Sequence, residues 1–546
     1  MDATLTILLF LCAIVASSAI ARSSTIPVPL PIVQIALGAL LSSVLNWQVE
    51  VDPELFLLLF IAPLLFLDAW RIPKEGLFRD KWTIIALALG LVVFTVLGAG
   101  LLIHLMLPAM PLAVAFALAG ILSPTDAVAV SAIAKRTPIP KRLMHILEGE
   151  ALLNDASGLV CARFAVAAVL TGAFSPVEAL GTFAWLAVGG LVIGAATAML
   201  ANGAKDWMSR RLGEEAGTQI LLSLLLPFGA YLLAASLHSS GILAAVAAGI
   251  AMNYEERTGR ALAVTRVRRA AVWDALQFAG NGAIFVLLGD QLPGIVAGAG
   301  AVAQHAGLSD AGWLVAYIVL ISLALLLLRA LWSWMTLGVI LFRDKVRGRR
   351  IEAPGWRLVA VISLGGVRGA LTLSAVMALP LALPNGAPFP ARDLAILLAA
   401  GIIVVSLVAA NAGLPYLARR IRLPVETARQ KEEEEARLKA AEAAIGVIER
   451  NIHTLGKGQP DFEAYMQAAT RALSPYRQRL ETRARTVEEQ VLARKAGEIE
   501  RRLRVAGLRA ERDELYRMAR SGRLSDEAVR ALVRELDLQE SRYGTS

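Results

Sequence analysis

Apolar runs of about 20 residues recur along the chain from Leu5 to Leu417, and this recurrence constrains the fold more than any other feature. As a helix rising about 1.5 Å per residue, each run can cross a hydrocarbon layer about 30 Å thick. With 56% apolar residues and a mean hydropathy of +0.60, the chain holds more apolar surface than one water-soluble core can bury. The bilayer is therefore the expected solvent, and the pattern predicts an all-α membrane protein of about thirteen transmembrane helices. The apolar pattern ends near Arg419, and the remainder is dense in Glu, Lys and Arg with no spanning segment. Two regions follow: a membrane body over 1–420 and a helical tail in water over 421–546. In the tail, Gly456 to Pro460 and Gly522 read as breaks between helices. Ser525 reads as an N-cap, and Leu532, Leu536 and Leu538 as a helical stripe. Regulation or dimer contact and a merely solvated appendage are equal readings of this tail.

A net charge of +9 suggests nucleic acid at first sight, but the basic residues of the body are confined to short loops, as topology demands. No nucleic-acid partner is expected. Every second loop is basic, as with Lys135, Arg136, Lys141 and Arg142, or Arg343, Lys345, Arg347, Arg349 and Arg350. The stretches between, such as Asn46 to Glu54 and Gly289 to Gly312, are nearly free of Lys and Arg and read as outer loops. The positive-inside rule then puts the N-terminus outside and the tail in the cytoplasm of a multi-pass inner or plasma membrane protein. The first run, Thr4 to Ala21, lacks a basic n-region and reads as a retained helix. Cys12 and Cys161 lie inside apolar runs, and the five histidines show no ligand spacing, so no cofactor is expected.

Ionisable residues inside spans are expensive, and each needs a function or a partner. The fifth span, near 111–134, contains Ser123-Pro124-Thr125-Asp126, where Pro124 should break the helix. The break frees carbonyls beside the Thr125 hydroxyl and the Asp126 carboxylate, an oxygen set suited to a small hard cation. Asp126 also reads as an N-cap for the second half-helix, and the two roles are compatible. The sixth span, near 144–170, holds Glu148, Glu150 and the pair Asn154-Asp155. At 100° per residue, Glu148 and Asp155 share one face while Glu150 and Asn154 lie on another. Glu148 fits an inner access path or, equally, an interfacial helix-start acid. Glu150 needs a cation, and Arg329 or Arg368 can supply it. Arg368 lies in Gly365-Gly366-Val367-Arg368-Gly369-Ala370, whose glycines favour local unwinding. Two interrupted helices in corresponding places of the two halves point to a midplane site built from inverted-topology repeats. Asp68 beside Arg71 reads as an interfacial pair, and Asn281 as an interhelical hydrogen bond.

The segments Ser123 to Asp126, Glu148 to Asp155 and Gly365 to Ala370, in this order, resemble the monovalent cation:proton antiporter-1 family of bacterial NhaP-type and animal NHE exchangers. The resemblance implies a thirteen-span homodimer with a mobile core of spans 4 to 6 and 11 to 13. It implies that Asp155 alternately holds a proton or a monovalent cation, with Asn154 supporting it, Asp126 and Thr125 near the ion, and Glu150 with Arg329 as a structural ion pair. Arg368 and Glu148 are supporting residues in that reading. An Asn before the Asp is linked in the superfamily to electroneutral one-for-one exchange. The implied function is antiport of Na⁺, with K⁺ or Li⁺ as alternatives, against H⁺ for pH and cation homeostasis. Ala151 replaces a Ser that the family often has after the matching Glu, which weakens the case for sodium over potassium. A K⁺/H⁺ antiporter, or a proton-coupled carrier for another small solute, is the alternative. A channel would need a pore loop and an enzyme a metal or nucleophile constellation, and neither pattern is present.

Overall fold

The apolar runs fold as helices in a computed structural model, which describes residues 3–23, 28–45, 49, 52–71, 86–126, 141–171, 181–182, 184–213, 215–256, 263–305, 312–346, 356–418, 427–455, 462–481, 487–521, 523–524 and 526–540. The first helices are α1 (Ala3–Ser23), α2 (Leu30–Leu45) and α3 (Ala62–Arg71), the last entered through a turn at Pro53–Phe56 and a π-helical turn at Leu57–Ile61. There follow α4 (Leu91–Met106), α5 (Leu112–Leu122), α6 (Lys141–Thr171), α7 (Gly190–Leu212), α8 (Ala216–Ser236) and α9 (Gly241–Glu256). The body is completed by α10 (Ala263–His305), α11 (Gly312–Val346), the short pair α12 (Trp356–Leu364) and α13 (Ala370–Met377), and α14 (Arg392–Ala418). Seven helices among the described residues are long and apolar enough to cross a bilayer, and four shorter apolar helices accompany them. Many large apolar side chains on their outer faces, such as Leu105, Leu200, Leu225 and Leu327, are exposed. On a soluble protein such faces would drive aggregation; against lipid they are the expected surface.

The body separates into two packing groups. In one, α4, α5, α6, α11, α13 and α14, joined by the end of α10, enclose a large buried apolar cluster that includes Leu118, Leu122, Ile321, Leu398 and Ile402, and α12 packs on α11 and α14. In the other, α2 packs on α10, and α9 packs on α3, α7 and α8. Lipid supplies no hydrophobic drive between helices, so close packing of small residues has to hold this second group. A Cβ on Gly289 would lie 2.8 Å from the Ile35 carbonyl carbon, and one on Gly38 would lie 2.8 Å from that of Val286. The backbones of α2 and α10 therefore touch on both sides.

One expectation fails here. Gly289 to Gly312 reads as an outer loop, yet α10 stays helical through His305. The reason is burial: Ala303 belongs to the large apolar cluster, with Ile295, Ala299 and Val302 packed against it. Inside this extension, buried Asp290 accepts the Val49 N–H at 2.9 Å, and the Gln291 side-chain amide bonds both Asp290, at 3.2 Å, and the Val49 carbonyl, at 2.9 Å. Reading the stretch as a loop hid this anchor.

Residues Leu423–Ser546 form a separate compact unit from Met1–Arg422. Its helices are α15 (Thr427–Leu455), α16 (Phe462–Glu481), α17 (Val487–Arg520) and α18 (Asp526–Glu540), with α15 packed on α16 and α17 on α18. The expected breaks at 456–460 and Gly522 and the Ser525 cap lie outside the described residues. The buried stripe of α18 is Val529, Val533 and Leu536; Leu532 and Leu538 are exposed. The apolar positions of α18 thus split between two faces, because the spacing of Leu538 from Leu536 puts it about 200° away.

The glycine contact gives a direct test. Gly289→Leu should separate α2 from α10 and lower the thermal unfolding midpoint in detergent well beyond the effect of Gly298→Leu, whose surroundings are open.

Candidate functional site

Two helix interruptions meet at the centre of the first packing group, and the site follows from how their freed backbone groups are satisfied. Pro124 has no N–H, so the Gly120 carbonyl loses its helical partner; the Ser123 hydroxyl donates to it instead at 2.9 Å. The Leu122 carbonyl would serve the Asp126 N–H in an unbroken helix. Arg368 Nε takes that carbonyl at 3.0 Å, and the Asp126 N–H crosses to the Val367 carbonyl at 2.7 Å. In the second interruption the Gly366 N–H turns back to the Ser363 carbonyl at 3.1 Å, which leaves the Ile362 carbonyl to Arg329 Nε at 2.9 Å. Arg368 also donates through Nη1 to the Gly366 carbonyl at 2.6 Å, and its backbone N–H donates to the Ser406 hydroxyl at 3.1 Å. Both arginines are buried and act as caps for broken helices in a medium without water to do so.

The interruptions set the position of Asp126. Gly369 is the N-cap of α13, and a Cβ there would collide with the Asp126 carboxylate. The carboxylate therefore lies at the N-terminus of that helix, where the backbone dipole favours negative charge. The continuation of the fifth span, 127–140, lies outside the described residues.

On α6 the carboxylates divide as their helical phase requires. Glu150 is fully buried and receives Arg329 in a bidentate ion pair, with Nη2 to Oε2 at 2.8 Å and Nη1 to Oε1 shorter still. Arg329 so joins α6, α11 and α12. Asn154 and Asp155 are buried one turn further along. The Asn154 amide donates to the Thr125 hydroxyl at 2.9 Å, and its Oδ1 is buried with no protein partner. This approach of α5 to α6 depends on Gly158, where a Cβ would stand 2.6 Å from the Pro124 ring. The structure thus brings together Asp155, Asn154, Thr125, Asp126, Glu150, Arg329 and Arg368. The Glu148 side chain lies outside the described residues.

Asp68 reads in sequence as an interfacial residue and sits on α3 of the second packing group; the neighbouring Arg71 bonds Asp274 at 2.6 Å and Gln277 at 2.8 Å, and Gln277 in turn reaches Asp68 at 3.4 Å. Two serines escaped the sequence reading. Ser157 donates to the Ala88 carbonyl at 2.8 Å, in the π-helical turn Ala86–Gly90 that precedes α4. Ser406 supports the second interruption from α14. Isolated serines in apolar spans give no sequence signal of this kind.

Among the described residues, the buried Asp155 carboxylate, the Asn154 Oδ1 without a hydrogen-bond partner, the Thr125 hydroxyl and the Asp126 carboxylate make an oxygen-rich set of the kind that suits a small cation or a proton. Removing either partner of the Glu150–Arg329 pair strands a buried charge. Glu150→Leu or Arg329→Met should each cost about 3–5 kcal/mol. The readout is the thermal unfolding midpoint in detergent, and the double variant should recover part of the loss.

Comparison with known proteins agrees with this geometry. The family model described as "Sodium/hydrogen exchanger, transmembrane" matches residues 7–419. A relative from Escherichia coli (strain K12), "Uncharacterized Na(+)/H(+) exchanger YjcE", is 40% identical over 549 residues, covering 99% of each chain. The "Sodium, potassium, lithium and rubidium/H(+) antiporter" of Bacillus subtilis (strain 168) is 36% identical over 547 residues, 100% of this chain and 78% of that one. In fold, the chain resembles the sodium proton antiporter MjNhaP1 from Methanocaldococcus jannaschii, with a TM-score of 0.57 at 17% identity over 77% of this chain and 99% of that one. With its interrupted helices, its buried Asn154-Asp155 pair and a family match across the whole membrane body, the chain belongs to the sodium/hydrogen exchanger family.

Proposed function

We propose that this chain exchanges a monovalent cation for a proton across the cell membrane, with Asp155 as the group that carries either one. The observation that carries this reading is the buried Asp155 carboxylate beside the unpartnered Asn154 Oδ1, held where two broken helices cross. Desolvation disfavours an empty, charged carboxylate, whereas a bound proton or cation neutralises it. The two ligands therefore compete for one site. If only the neutralised forms cross the hydrophobic barrier, influx of one ion is tied to efflux of the other. Neutral Asn154 adds no second exchangeable charge beside Asp155, which supports one-for-one, electroneutral exchange.

In this reading Thr125 holds the Asn154 amide so that Oδ1 faces the ion, and Asp126 contributes its charge from the N-terminus of α13. Glu150, Arg329 and Arg368 keep the interrupted helices in place. Na⁺ is the first candidate cargo, with K⁺ and Li⁺ next. Buried Ala151 offers no hydroxyl one turn before Asp155, and the Bacillus subtilis relative is named for four alkali cations; both favour a broad selectivity that includes K⁺. The basic loops support an outer N-terminus and a cytoplasmic tail in an inner or plasma membrane, and the family supports a homodimer serving pH and cation homeostasis.

Asp155→Asn should abolish cation-dependent proton flux in proteoliposomes while the protein still elutes as a folded species; undiminished flux would sink the assignment. Asp126→Asn should weaken apparent cation affinity, so an unchanged dependence on cation concentration would remove Asp126 from the site. Strict competition also fixes the pH dependence. On the acid side of the profile, the cation concentration for half-maximal exchange should rise by about tenfold per unit fall in pH. A half-maximal concentration independent of pH would exclude a shared carboxylate.

A further inference from the structure

We propose that α17 in the tail pairs with the same helix of a second copy of this chain as a parallel coiled coil. The helix has two apolar faces. One packs on α18: Leu508 is buried there with Val529, Val533 and Leu536, and Arg512 is bonded to Asp537 at 2.9 Å and to Glu540. The other runs through Ala496, Ile499, Leu503, Ala506 and Ala510, all exposed, with Ile499 at 58% and Leu503 at 67%. Their spacing of 3, 4, 3 and 4 residues is the alternation of a coiled-coil seam over two heptads, and Leu492 stands one heptad before Ile499 in sequence. Asp513 and Arg517 then end the stripe.

The flanking charges select the partner and its direction. With Ala496, Leu503 and Ala510 as the a positions, the residues just before them are Lys495, Arg502 and Arg509, all basic. Those on the other flank, one after the d position that follows each a position, are Glu500, Gly507 and Glu514. In a parallel pair each g residue meets the e residue five positions on in the partner, which sets Lys495 against Glu500 and Arg509 against Glu514 across the seam, in exchange for the exposed Glu500–Arg504 and Glu514–Arg517 pairs and the Arg509–Glu540 contact within one copy. An antiparallel pair would set basic flank against basic flank. Two heptads rich in Ala are marginal alone. Tethering through the rest of the chain raises the effective concentration to about the millimolar range, where a weak seam becomes populated. The pairing rests on the homodimer proposed above and is independent of which ions are transported.

The test uses the full-length chain in native membranes with Cys12 and Cys161 replaced by Ser. Leu503→Cys, on the seam, should give a disulfide-linked dimer on mild oxidation, whereas Arg504→Cys, beside it and off the seam, should stay largely monomeric. Glu500→Lys should reduce the Leu503→Cys cross-link several-fold, and adding Lys495→Glu should restore it. The proposal is overturned by equal cross-linking at both positions, by no cross-link at Leu503→Cys, or by indifference to the charge changes. Protection of an uncross-linked Leu503→Cys from an aqueous maleimide, seen only with vesicles of anionic lipid, would instead assign the stripe to the membrane surface.

Discussion

Everything at the centre of this molecule depends on backbone polar groups that have left their helices inside a medium without water. An unsatisfied N–H or carbonyl there costs several kcal/mol, about the whole margin of a folded domain. The chain meets this requirement by letting each interruption satisfy the other. The Asp126 N–H bonds the Val367 carbonyl, Arg368 returns to the Leu122 carbonyl, and Arg329 takes the Ile362 carbonyl. Because Arg329 also neutralises Glu150, the same guanidinium joins the helix that carries Asp155 to the second break. Structural and chemical roles are thus divided cleanly. The Arg329 and Arg368 side chains are taken up by carbonyls and by Glu150.

Much of this was legible from residue types alone. Pro124 announced the first break and the glycines from Gly365 to Gly369 the second, because each removes a helical hydrogen bond or a steric constraint wherever it stands. Helical phase separated Glu150 from Asp155, and the structure pairs Glu150 with Arg329. Periodicity could not say which of two arginines meets Glu150, since that depends on where α11 and α12 pack. Nor could it place Asp68: an acid three residues before an arginine reads as a local pair, while the Gln277 amide that reaches it comes from a distant helix. The end of α10 was misplaced for a related reason. A stretch of small residues without Lys or Arg looks like a loop until Ala303 is found buried among distant helices.

The family match and the geometry address different questions. The match spans the membrane body and says which kind of protein this is. The geometry shows a buried Asp155 next to an Asn154 oxygen with no hydrogen-bond partner among the described residues, and the proposed exchange of two ligands on one carboxylate rests on that pair. Ala151, buried one turn before Asp155, carries no hydroxyl there.

The backbone contact between α2 and α10 has a mechanical consequence. Helices that meet through side chains can slide, since rotamers adjust and neighbouring knobs find new holes. Where Gly38 and Gly289 lie against carbonyls, a shift of even one residue would drive a side chain into the opposing main chain. That junction behaves as a keyed joint, fixed in register and strong in shear. Any movement in the body must therefore be taken up at interfaces lined by side chains.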